Sequence, residues 1–135
     1  MQYPYLLTKE DCERLRKKAK YLYENTEYAL VYSFGGNYLE TSWFLRGYDK
    51  FWADLITRRS FVEYLFEKLH EYHMYNLKMV LDAVKDYVQI IGFSDDMGCE
   101  TGPLLSPKLH RELLFEYRKE QYEYVHKSAP RLYTF

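Results

Sequence analysis

The stretch Tyr87-Val-Gln-Ile-Ile-Gly-Phe-Ser-Asp-Asp96 decides the fold. Its first seven residues are nearly all apolar, which is the pattern of a parallel strand covered on both faces. The acidic pair Asp95-Asp96 follows at what would be the strand's C-terminal end. Toward the N-terminus, Tyr28 to Ser33 (YALVYS) is short, aromatic and β-branched, and it runs into Phe34-Gly35-Gly36-Asn37, a strand closed by a turn. Toward the C-terminus, Ser94 to Leu105 reads as a loop. Ser106-Pro107 then supplies an N-cap with proline at the first helical position. That helix is expected to continue to about Lys127, with Arg131 to Phe135 as a further strand.

Helices fill the remainder. Thr8 and Asp11 form a capping-box pattern, in which a side chain covers an unpaired helix-end donor. Cys12, Leu15, Ala19 and Leu22 follow at helical spacing, with a stop near Asn25. Tyr38 to Phe44 is expected to be helical, with Gly47 as its stop, and Asp49 to Ile56 forms a second short helix. Ser60 and Glu63 repeat the capping-box pattern at the start of a long helix to about Ala83, whose stripe includes Val62, Leu65, Phe66, Leu69, Leu77, Val80 and Leu81. The order helix, strand, helices, strand, helix, strand predicts an α/β fold with about three parallel strands and long crossover helices of right-handed sense. Such a sheet leaves edges open and one face unclosed. The expectation is therefore one unit spanning 1–135, a partial (β/α)8 TIM barrel, with assembly of copies as the alternative.

Composition narrows the classes. The 135 residues suffice for one domain or part of a larger one, and 47% hydrophobic content excludes a disordered tail. Lys+Arg 19 against Asp+Glu 20 gives a net charge of -1, which argues against a nucleic-acid surface built on bulk charge. No apolar run approaches the ~20 residues of a membrane span, and no charged-then-apolar leader opens the chain. Two cysteines, Cys12 and Cys99, are too few for a disulfide scaffold, so a cytoplasmic setting is expected.

Candidate chemistry gathers at the strand ends. Parallel α/β folds place reactive groups at the C-terminal ends of their strands, so Asp95 and Asp96 are the catalytic candidates. Adjacent side chains diverge, and one carboxylate can face the mouth while the other binds backbone donors; both could equally be turn residues. Phe34, Gly35, Gly36 and Asn37 occupy the equivalent end of the preceding strand, where paired glycines permit close approach to a ligand. The spacing matches no dinucleotide or Walker loop. Tyr38 and Trp43 could wall the same mouth, making all six the substrate-binding candidates. Glu67 and His70 form a Glu-x-x-His pair without the second copy that a di-iron bundle needs, and His73 reads as a packed core imidazole, so no metal site is expected. His110 and His126 read as surface or helix-end residues. Cys99 lies among carboxylates, which should disfavour its thiolate. Arg14, Arg16, Lys17, Lys18 and Lys20 read as a solvated helix face.

The segments Ser33 to Phe51 (SFGGNYLETSWFLRGYDKF) and Ile90 to Leu113 (IIGFSDDMGCETGPLLSPKLHREL), with the strand–helix order, resemble the uroporphyrinogen decarboxylase-like family of (β/α)8 barrels, which includes corrinoid-dependent methyltransferases. The resemblance covers essentially the whole chain. An aspartate pair after a strand, then Gly-Pro, then Ser-Pro opening a helix is specific in combination. It implies a barrel enzyme acting on a tetrapyrrole or a methylated corrinoid. The two chemistries are decarboxylation of uroporphyrinogen acetate side chains in porphyrin biosynthesis and transfer of a corrinoid methyl group to a thiol. The motif form is nearer the second. In that branch zinc activates the thiol through a His-x-Cys pattern and a later Cys, just beyond the strand that stops here at Phe135, and this sequence has no such motif. The decarboxylases hold pyrrole N–H groups with an aspartate from an early loop, also missing here. Asp95 and Asp96 match the acidic strand end only. The resemblance thus implies an interior fragment, inactive alone, with no cofactor of its own; zinc and a corrinoid would belong to a full-length methyltransferase. A non-catalytic, self-associating α/β interaction module is the alternative.

Overall fold

A computed structural model describes residues 5–135; residues 1–4 of the expected single unit lie outside the described residues. The elements are α1 (Lys9–Asn25), β1 (Val31–Gly35), α2 (Leu39–Arg46), α3 (Tyr48–Thr57), α4 (Arg59–Val84), β2 (Ile90–Phe93), a two-residue hairpin β3 (Gly98–Cys99) and β4 (Gly102–Pro103), α5 (Pro107–Leu113), α6 (Phe115–Ser128) and β5 (Tyr133–Thr134). The order β1-β2-β5 is parallel throughout, so the fold is a mixed helix and strand structure around one three-stranded parallel sheet.

Several starts and stops follow from local chemistry. The Thr8 hydroxyl accepts from the Asp11 N–H, and the Asp11 carboxylate accepts in return from the Thr8 N–H at 2.9 Å, a complete capping box. Gly47 ends α2 with φ 91°, a conformation glycine adopts without a Cβ penalty, and Ser106 caps α5 ahead of Pro107. The second capping-box pattern is corrected. Helix α4 starts at Arg59, so Ser60 lies inside it, no side chain caps the end, and the Glu63 carboxylate accepts from Arg59 Nε at 2.9 Å instead. Strand β1 begins at Val31 rather than Tyr28, because the Gln89 side chain takes the Leu30 N–H at 2.8 Å in place of a strand partner. The helix expected from Pro107 to Lys127 breaks at Leu114. Leu113 and Leu114 are both buried, and neighbours on one helix point about 100° apart, so the break seats both in the core.

One face of the sheet is covered. Ile91, Phe93, Val84, Val125 and Leu132 share a core beneath α1, α4 and α6. A second core joins α2, α3, α5 and the start of α4 through Phe51, Val62, Phe66 and Leu113. The opposite face is bare, which corrects the expectation that Tyr87 to Phe93 is covered on both sides. Side chains paired across parallel strands share a face, and the row Val31, Ile90, Tyr133 lies on the uncovered one, with Val31 57% and Tyr133 74% exposed. Phe135 is 86% exposed.

Removing the genuine cap and the apparent one should separate the two. Thr8→Ala is expected to lower unfolding free energy by about 1 kcal/mol in chemical denaturation, and Ser60→Ala by less than about 0.5 kcal/mol.

Candidate functional site

The sheet's C-terminal edge is built from two loops tied together. Gly35 and Gly36 both take positive φ, 77° and 69°. A Cβ at Gly35 would stand 3.0 Å from Asn37 Oδ1, and one at Gly36 would stand 3.0 Å from the Phe34 ring, so the turn requires both glycines. The Ser94 N–H donates to the Gly35 carbonyl at 2.8 Å and the Ser94 hydroxyl to Asn37 Oδ1 at 3.2 Å. The acidic strand end and the glycine turn are therefore neighbours.

The two aspartates part company here. Asp95 Oδ2 accepts from the N–H groups of Tyr38 at 2.7 Å and Leu39 at 3.1 Å, and Oδ1 accepts from Glu40 at 3.1 Å. These are the first donors of α2, a helix whose own N-cap residue supplies no side-chain cap. A carboxylate there satisfies three orphan donors and meets the positive end of the helix dipole. Its side chain is only 3% exposed, and the Arg118 guanidinium lies 3.9 Å away. Asp95 is thus a cap donated by a neighbouring strand end. Asp96 is exposed and is the carboxylate of the pair open to solvent.

Arg118 holds the rim from below. It donates to Gln121 Oε1 at 3.0 Å and to the Ser94 carbonyl at 3.3 Å, and its guanidinium lies 5.5 Å from both the Tyr38 and Phe93 rings. Tyr38 is buried, 1% exposed, and burial pushes its phenol well above the ordinary range. Its hydroxyl meets His70 Nδ1 at 2.8 Å, and His70 Nε2 meets Glu120 at 2.9 Å. A carboxylate only accepts, so in the neutral ring the Nε2 proton faces Glu120 and Nδ1 accepts from the phenol. His73 is also buried, and its Nε2–H donates to the Asn37 carbonyl at 3.0 Å. Burial pulls its pKa down from 6.5 to about 4.

Of the six substrate-binding candidates, Phe34, Gly35, Gly36 and Asn37 line a cleft of about 280 Å³, together with His73, Tyr72 and Asn76. Tyr38 and Trp43 do not. Tyr38 is enclosed by Phe66, His73 and Tyr117, and Trp43 packs against Tyr48 and Trp52 in an aromatic cluster of α2 and α3. The expectation for Cys99 is overturned: its thiol pKa is lowered, chiefly by the Thr101 hydroxyl at 3.3 Å, and the opposing charge of Asp96 is a smaller effect. Both cysteines are free, and the basic residues of α1 are exposed as expected. Sequence reasoning missed Arg118, Gln121 and Asn76. The only available signal was a polar residue at an apolar helical position, visible for Asn76 beside Leu77 and Val80.

Among the described residues no group of three or more His, Cys, Asp or Glu is arranged to hold a metal ion, and no helix is long and apolar enough to cross a membrane. Comparison with protein-family models, curated proteins and solved structures returned no match for this chain.

Two measurements bear on this geometry. Asp95→Ala strips the acceptor from three N–H groups and should cost about 3 kcal/mol or more, against less than about 0.5 kcal/mol for Asp96→Ala, both read in urea. For His73 the folded pKa is the lower one, so the unfolded chain binds the extra proton between pH 6.5 and about 4. Stability is therefore full above that window and should fall as pH drops through it, by about 3 kcal/mol in total. His73→Gln should flatten that part of the pH–stability curve.

Proposed function

We propose that this chain is an interior segment of a (β/α)8 barrel enzyme of the uroporphyrinogen decarboxylase-like kind, presenting part of the substrate mouth at its C-terminal strand ends. The observation that carries the reading is the one-sided sheet. Three parallel strands have helices on one face and a bare apolar row of Val31, Ile90 and Tyr133 on the other, the arrangement of barrel strands seen from inside. The joined glycine and aspartate loops lie at the end where such barrels do chemistry. In this reading Asp96 faces the substrate, while Asp95 is a positioning residue that fixes α2 and the glycine turn.

The motif form favours methyl transfer from a corrinoid to a thiol over decarboxylation of acetate side chains. The described residues do not fit a zinc centre: Cys99 has Thr101 and the Gly102 carbonyl as its partners, and among the described residues no three ligands converge. No step through zinc is derived for it. What the chain supplies is the rim, held rigid by the three N–H bonds to Asp95.

The test extends the chain with its flanking coding sequence and offers the product methylcobalamin plus a thiol, or uroporphyrinogen. Thiol-dependent loss of the methylcobalamin spectrum supports methyl transfer, and carbon dioxide release supports decarboxylation. In either assay Asp96→Asn should lower kcat/KM about 100-fold without altering the melting temperature. Turnover of neither substrate, or an unaffected Asp96→Asn, would refute the assignment. A discrete dimer of the unextended chain in sedimentation would instead favour a self-associating module.

A further inference from the structure

We propose that the cleft beneath the glycine turn, which shares that turn with the strand-end mouth but opens on the helix-covered side, binds a small, uncharged planar ring. The cleft lies on the helix-covered side of β1, between Phe34, helix α4 and the segment Tyr5–Leu7. This proposal needs only the present chain and does not rest on the barrel reading.

Charge selects the ligand. Among the described residues no side chain lining the cleft carries a formal charge while His73 is neutral, and burial keeps it so, outweighing the opposite pull of the bond from its Nε2–H to the Asn37 carbonyl. A carboxylate or ammonium entering there would lose hydration with no opposite charge on the lining to pair with it. Shape selects further. Tyr5, Tyr32, Phe34 and Tyr72 contribute rings to the walls, and Phe34 already meets the His73 ring edge-on at 6.3 Å, a geometry an added ring can extend. Gly35 and Gly36 leave the rim free of side chains, and Thr41 is among the lining residues. A volume of about 280 Å³ is near the lower limit of about 300 Å³ for ligand pockets, suited to one or two fused rings and too small for a tetrapyrrole.

The site is also built before any ligand arrives. Asn76 Nδ2 donates to the Tyr5 carbonyl at 3.1 Å, and Asn76 Oδ1 accepts from the Leu7 N–H at 2.9 Å. The Tyr5 hydroxyl donates to Asp11 at 2.7 Å. The outer wall is therefore pinned at both ends of the tyrosine, so little ordering remains to oppose binding.

The probe is indole, with benzoate as its charged counterpart of similar outline, and the readout is NMR of the full chain. Indole should bind with Kd on the order of 1 mM and show intermolecular NOEs to the His73 and Tyr72 rings, and benzoate should bind at least about tenfold more weakly. Thr41→Trp should fill the cleft and weaken indole about tenfold; Tyr5→Ala, a change at the half-exposed wall, should weaken it about fivefold even if the bulkier variant fails to fold. Benzoate binding as tightly as indole, NOEs absent from both rings, or indole affinity unchanged in a folded Tyr5→Ala protein would each overturn the proposal.

Discussion

Three backbone N–H groups at the start of α2 converge on the carboxylate of Asp95. Those donors belong to a helix that follows β1, and the acceptor belongs to the loop after β2, so one side chain fixes the relation between two strand ends far apart in sequence. Everything at this edge leans on that cap. The glycine turn keeps its path because α2 cannot swing, Asn37 stays in reach of Ser94 and His73, and Tyr38 is pressed between the histidines of α4 and the Tyr117 ring of α6. Arg118 closes the set as the cation beside a carboxylate that is almost entirely out of water.

The sheet is asymmetric in a way that defines the molecule. One face is buried by α1, α4 and α6, and the other offers Val31, Tyr133 and Phe135 to solvent. Exposed apolar rows on a parallel sheet are uncommon, since crossover helices ordinarily cover both sides of an open sheet or the strands close into a barrel. Closure against further strands would remove the exposed row, and that supports the proposed barrel reading over a doubly wound one.

The strand order and most helix limits were legible because they depend on near neighbours. A threonine three residues before an aspartate, a proline after a serine and a glycine after an apolar run act over one helical turn, and α1, α2 and α5 begin or end accordingly. Ser60 and Glu63 show where that logic fails: the same spacing formed no cap once Arg59 claimed the glutamate. The break at Leu114 was invisible for a similar reason, since two adjacent buried leucines are decided by the cores they enter. At the site, the glycine turn and the acidic pair were recognisable as a strand-end constellation, and their direct contact through Ser94 agrees with that.

The sequence by itself determined that this chain makes three parallel strands separated by helices, because hydrophobic period, turn residues and caps are local codes. Which aspartate points inward, that Tyr38 is enclosed while its neighbours line a cleft, and that Asn76 pins the N-terminal segment were decided only by tertiary structure. Those outcomes depend on hydrogen bonds between groups up to 71 residues apart, and no local pattern specifies which distant donor a polar side chain will meet.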